Sequence, residues 1–131
     1  MLAPRCTRLI GVDIVEDPLP AAQACCADQP QVRFERMRVP ADWPADRFDL
    51  IVFSEVLYFL SAEDIKICAR HVQRTLLPDG IVVLVNWLGQ TDDPSPGHNA
   101  PECFIEAAEG FLRISYRERH DHYRLELLTG I

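Results

Sequence analysis

The residues best placed to do chemistry are a few acids and imidazoles at the ends of apolar runs. Ser54 and Glu55 close the run Phe48-Asp49-Leu50-Ile51-Val52-Phe53. They fall at the carboxyl end of a strand, the crevice where open α/β sheets bind ligands. A carboxylate there can attract a cationic amine, take its proton, or simply cap the following turn. Tyr58 is either pocket wall or core. Asp13 ends the run Arg8-Leu9-Ile10-Gly11-Val12, where an acid at a strand end can cap a turn. His98 stands in a Pro/Gly loop, where a neutral imidazole can accept a proton from an ammonium group, although most loop histidines are only solvated. His120 and His122 are two apart; on a strand they would share a face and a metal, but no third ligand is evident and a turn is the better reading. No Ser/His/Asp or Cys/His constellation for covalent catalysis is found.

The elements that must position these residues alternate. Residues 8–14 read as a short strand, and Asp17 can cap a helix with Pro18 in its first turn, ending before Pro30. Val32 to Val39 alternates apolar with charged residues, which suits a strand at a sheet edge. Pro40 and Pro44 mark a loop. Phe48–Ser54 is apolar almost throughout, which predicts helices on both faces of a parallel sheet. Ser61-Ala-Glu-Asp64 is a capping signal for a helix whose apolar face is Ile65, Cys68, Ala69, Val72, Leu76 and Leu77. Pro78-Asp79-Gly80 is expected to end that helix before a strand over 81–87. A helix follows from Pro101 to Glu109, then a hairpin from 111–117 and 123–128. The order β-α-β-loop-β-α-β-α-β-β predicts one α/β domain over 1–131, with a mostly parallel sheet and an antiparallel end.

A formal net charge of −7 argues against a nucleic-acid partner. The late cluster Arg113, Arg117, Arg119 and Arg124, with His120 and His122, reads as a solvated hairpin before it reads as a patch for an acidic ligand. Five cysteines without CxxC spacing suggest free thiols in a reducing cytoplasm. No signal peptide is read, and no apolar run approaches the roughly 20 residues that cross a bilayer, so no membrane partner is expected.

Phe48-Asp49-Leu50-Ile51-Val52, Ser54-Glu55-Val56-Leu57-Tyr58-Phe59-Leu60, Leu77-Pro78-Asp79-Gly80 and Pro96-Gly97-His98-Asn99-Ala100-Pro101-Glu102 carry a family likeness. From about Thr7 onward the chain resembles the class I, Rossmann-like methyltransferases that use S-adenosylmethionine (SAM). It is most similar to the nodulation-type N-methyltransferases and related small-molecule enzymes. The resemblance implies SAM as cofactor and a small-molecule methyl acceptor, with transfer to nitrogen. It implies that Asp13, with Ile14 beside it, receives the ribose hydroxyls. It places Arg38 where the family's acid faces the adenine amine; arginine only donates, so Val39 is left to offer its backbone N–H and side chain, or Asp42 to substitute. Ser54 and Glu55 would approach the sulfonium and the nucleophile, with Glu55 and His98 as the catalytic candidates.

The resemblance begins at the family's second strand, so the first strand and its Gly-rich cofactor loop are expected to be missing. Residues 7–14 are not that first strand, because Val15-Glu16-Asp17-Pro18-Leu19-Pro20 follows without glycine. Truncation predicts weak SAM binding and little activity by the isolated chain. A vacant lane of roughly 10 Å would bury unpaired amides at about 1–3 kcal/mol each. In a monomer, residues 8–14 are therefore expected to pair directly with 48–54. The competing readings are a catalytically inactive remnant or interaction module, with exposed strand edges favouring homo-oligomers, and a dehydrogenase-like domain. The absent GxGxxG and the closing hairpin oppose the last.

Overall fold

The computed structural model describes residues 2–13, 18–87 and 99–131, in two compact units, 1–43 and 44–131. In the first unit, β1 (Leu9–Asp13) and β2 (Val32–Arg36) pair in parallel, linked through α1 (Pro18–Cys25). Gly11 lies opposite Phe34, and a Cβ there would stand 2.7 Å from the Phe34 ring. This glycine is required by the packing of an aromatic side chain. The strand over 32–39 proves shorter than its alternation suggests, because the chain turns after Arg36.

The second unit is a four-stranded sheet in the order β3-β4-β6-β5, made of β3 (Phe48–Ser54), β4 (Leu76–Trp87), β5 (Leu112–Arg119) and β6 (Tyr123–Gly130). β3 and β4 are parallel and the other pairings antiparallel. Between β3 and β4 come a 3₁₀ turn, Leu57–Phe59, and α2 (Ala62–Thr75); α3 (Asn99–Ala108) precedes the hairpin. The Ser61 hydroxyl accepts the Asp64 N–H at 3.1 Å, as the capping signal requires. Ile65, Cys68, Ala69 and Val72 form the buried stripe of α2, which packs on α3.

The two faces of this sheet differ sharply. Phe53 meets Phe104 of α3 with ring centroids 5.2 Å apart. Residues that register places beside Phe53 are buried: Val82, Leu84 and Asn86 of β4, with Leu128, Glu126 and Arg124 of β6. The opposite face carries Leu50, Val52, Ile81, Val83, Val85, Trp87, Tyr123, Leu125, Leu127 and Tyr116, and none of these is buried. The apolar character read on both faces of the strands is correct. Complete burial of both faces is not.

Two further expectations are corrected. β1 bonds to β2 and β3 to β4, and the direct pairing of 8–14 with 48–54 is not formed. No residue of β1 is buried and only Phe53 of β3 is. At the end of α2, the left-handed residue is Asp79 (φ 64°), not Gly80. Aspartate tolerates this region through its short polar side chain. Gly80 is needed for space, since a Cβ there would lie 2.5 Å from Leu76 Cδ1 and 2.8 Å from the Leu77 carbonyl. The segment 76–80, expected as helix end and turn, already pairs with β3 through Phe48↔Leu76, before a register shift to Leu50↔Ile81.

Candidate functional site

At the carboxyl end of β3 the chain turns sharply, and Glu55 takes a left-handed φ of 57°. Such a backbone costs about 1–2 kcal/mol in a non-glycine residue, so other contacts must hold it. The Glu55 N–H donates to the Val85 carbonyl at 2.9 Å. Its Oε2 accepts the Tyr58 hydroxyl at 2.8 Å and the Trp87 N–H at 3.1 Å. The carboxylate thus ties the 3₁₀ turn to the end of β4. Burial raises the Tyr58 hydroxyl to about 12, and its bond to the Glu55 carboxylate adds to the shift. Tyr58 is buried, and its hydroxyl anchors this corner through Glu55. Ser54, beside Glu55, is exposed.

Three neighbours escaped sequence reasoning. Phe59 is 68% exposed directly after the buried Tyr58. Trp87 stacks on His122 at 5.4 Å, which gives His122 an aromatic partner. Asn86 is fully buried, and neither its Nδ2 nor its Oδ1 finds a partner. A lone asparagine after the apolar run Ile81–Val85 is the signal that could have found it. His120 lies against Glu118 and stacks on Tyr123, as a turn residue. Among the described residues no cluster of three or more His, Cys, Asp or Glu is arranged for a metal.

Of the late arginines, Arg113, Arg117 and Arg119 are exposed and only Arg124 is buried. Arg124 donates from Nε to Glu126 and from Nη2 to Glu102, each at 2.5 Å. Arg117 reaches Glu102 at 3.4 Å and Glu126 at 3.5 Å. Burial works against the Arg124 charge, but its bonds to Glu102 and Glu126 outweigh burial and hold the guanidinium above its ordinary value. Within this group two cations, Arg117 and Arg124, answer two anions, Glu102 and Glu126. With Arg119 these residues line a cavity of about 60 Å³. A larger cavity, about 240 Å³, is lined by Arg47, Leu76, Asp79 and Gly80. It lies at the amino end of β4, away from Glu55, and open sheets of this class bind ligands at the carboxyl ends.

In the first unit, Asp13 is exposed at the carboxyl end of β1, and its carbonyl accepts the Met37 N–H at 3.0 Å. This bond draws the strand end beside the turn that carries Arg38 and Val39. Arg38 donates its own N–H to Asp42 Oδ2 at 2.9 Å, so Asp42 closes the turn. Val39 is half-buried. Ile14 and His98, and the Asp17 cap, lie outside the described residues. The donor set fits SAM in part: a carboxylate at a strand end suits a ribose diol, whereas the Arg38 side chain offers the adenine amine no acceptor.

Comparison with known proteins completes this picture. A family model described as a methyltransferase domain matches residues 1–84. No curated protein matches. The chain is similar to a Pseudomonas syringae protein assigned as a methyltransferase, at 28% identity and a TM-score of 0.82 over 98% of this chain and 76% of that one. It is also similar to the N-methyltransferase NodS of Bradyrhizobium japonicum WM9, solved with S-adenosyl-L-homocysteine, at 19% identity and a TM-score of 0.79 over 98% of this chain and 69% of NodS. A methyltransferase from Clostridium acetobutylicum, described as dependent on S-adenosylmethionine, matches at 15% identity and a TM-score of 0.76 over 98% of this chain and 77% of that one. The fold is Rossmann-like, as expected.

Proposed function

This chain belongs to the SAM-dependent methyltransferase domain family, and we propose that it serves transfer of a methyl group to the nitrogen of a small molecule. The observation that carries the reading is the Glu55 carboxylate, fixed at the carboxyl ends of β3 and β4 by the Trp87 N–H and the Tyr58 hydroxyl. When bound, the cofactor supplies an electrophilic methyl group. The chain supplies positioning and desolvation, and needs no nucleophilic side chain of its own. In the first unit, Asp13 accepts from the ribose hydroxyls, and Val39 offers apolar surface. In the second, Ser54 and Glu55 face the acceptor, and Glu55 attracts a cationic amine or takes its proton. His98 is the second candidate base.

One observation favours a different reading, a methyltransferase-fold module without catalysis. The hydrogen bonds that the Glu55 carboxylate accepts from Tyr58 and Trp87 are internal, which is what a purely architectural glutamate would show. Titration calorimetry with SAM and with S-adenosylhomocysteine separates the two. Binding that Asp13→Ala abolishes supports the enzyme. Absence of binding at millimolar ligand supports the module. Glu55→Gln keeps a carbonyl for the Trp87 N–H, so for the enzyme it preserves cofactor binding and lowers amine methylation, followed by mass spectrometry, by about 10²-fold or more.

A further inference from the structure

We propose that the cavity at the amino end of β4 binds an aromatic amino acid in its zwitterionic form. It lies at the opposite end of the strand from Glu55, so it is a second site and not part of the crevice described above. Its volume is about 240 Å³. An apolar cavity of about 150 Å³ already holds a benzene ring, so this one has room for a ring and a charged head group. Leu76, Leu77, Phe111 and Leu112 give it an apolar lining, and Arg47 and Asp79 add opposite charges. Apolar walls with a few convergent polar groups are the ordinary form of a small-molecule site.

The chain leaves its regular ladder to build this cavity. Between the Phe48↔Leu76 and Leu50↔Ile81 pairs the register shifts, and the surplus chain runs through Leu77 and Asp79. Irregularities of this kind re-aim side chains and gather beside functional sites. Asp79 itself is held at a φ of 64°. Glycine would take that conformation without steric cost. A strained aspartate kept where glycine would relax the backbone points to a use for its carboxylate.

The two charges select the ligand. Arg47 and Asp79 line the same cavity, yet among the described residues neither belongs to an ion pair. Arg47 donates one long bond, from Nη2 to the Leu76 carbonyl at 3.4 Å, which leaves most of its five donors unused. Both side chains are exposed, so a ligand can reach them. A guanidinium is shaped to grip a carboxylate through two bonds, and the Asp79 carboxylate accepts from an ammonium. A ligand with a single charge answers only one of the pair, whereas a zwitterion answers both. Its ring then meets the apolar lining, where Phe111 offers an aromatic partner. This inference does not depend on the methyltransferase reading.

Titration calorimetry of the 131-residue chain with phenylalanine, in the absence of SAM, tests it. The expected result is saturable binding. Hydrocinnamate, which lacks the ammonium, and phenethylamine, which lacks the carboxylate, should each bind at least tenfold more weakly. Asparagine tolerates the left-handed region as aspartate does, so Asp79→Asn removes the charge and keeps the turn. It should weaken phenylalanine at least tenfold and leave hydrocinnamate unchanged. Arg47→Gln should weaken phenylalanine as much and leave phenethylamine unchanged. Asp79→Gly should raise the melting temperature and still lose binding, a combination that a purely structural aspartate would not give. No binding of phenylalanine at tens of millimolar overturns the proposal. So do analogues that bind as tightly as phenylalanine, or binding indifferent to Asp79→Asn or to Arg47→Gln.

Discussion

Replacing Arg124 by methionine tests whether the inward charges of the hairpin act as a unit. Glu126 is 0% exposed and Arg124 5% exposed, so neither can reach water in the folded chain. Methionine keeps much of the arginine stem and removes the charge. Glu126 Oε1 then loses the Nε and Nη2 donors of Arg124 and keeps only Arg117 at 3.5 Å. Breaking a buried pair by removing one partner costs about 3–5 kcal/mol. Glu126 Oε2 already has no partner, which places the expected loss at the upper end. The companion change Glu126→Leu leaves Arg124 with Glu102 and costs less, about 2 kcal/mol, within the range for charged hydrogen bonds. The double variant removes both charges and fills the space with apolar atoms. Such replacements are near neutral or stabilising, so it should lie within about 1 kcal/mol of the parent, giving a coupling energy of several kcal/mol. Urea denaturation of the four proteins, with matched m-values, reads these differences. Two results would refute the reasoning. Single variants that each cost under 1 kcal/mol would mean that the charges are solvated. A double variant as unstable as the sum of the singles would mean that packing, not charge, holds the site.

Other consequences are open to measurement. The Tyr58 hydroxyl, raised from 10.0 to about 12, keeps its proton between pH 10 and 12 while the unfolded chain loses it. Stability should therefore fall as pH rises through that window, by on the order of 2 kcal/mol, and chemical denaturation of Tyr58→Phe should show a shallower decline. Cys68 is fully buried and its thiol is pushed up to about 12 by burial, with the Asp64 charge adding to it. A thiol reagent at pH 8 should label the exposed Cys25 readily and leave Cys68 unmodified until denaturant is added. Gly80→Ala should cost about 1–3 kcal/mol by overpacking against Leu76, whereas Asp79→Gly should gain about 1 kcal/mol by relieving its left-handed backbone. Thermal melts of the two variants should move in opposite directions.

The elements were legible because their periodicities are strong. Phe48–Ser54 declares itself by a near-continuous apolar run, and α2 by the helical spacing of Ile65, Cys68 and Val72. Glu55 was legible as a residue beyond a strand end; its bonds to Tyr58 and Trp87 were not, because Trp87 is 32 residues away in sequence. The direction of the hairpin was misread for a physical reason. Period 2 reports that a strand has two faces but not which one is covered, and the inward Arg124 is met there by Glu102 of α3 and by Glu126 beside it. Glycine misled in the same way. Gly80 stands beside the residue with the special φ, and its own need is space, which sequence does not display.

The offset at the start of β4 sets where this chain tolerates a change of length. Three surplus residues are absorbed between the Phe48↔Leu76 and Leu50↔Ile81 pairs. That slack isolates the later ladder from whatever happens just after α2. An extra residue inserted at 77–79 can enlarge the loop-out and leave Val85 and Trp87 bonded to Glu55. The same insertion at 82–84 has no such buffer, and each side chain beyond it exchanges the inner for the outer surface.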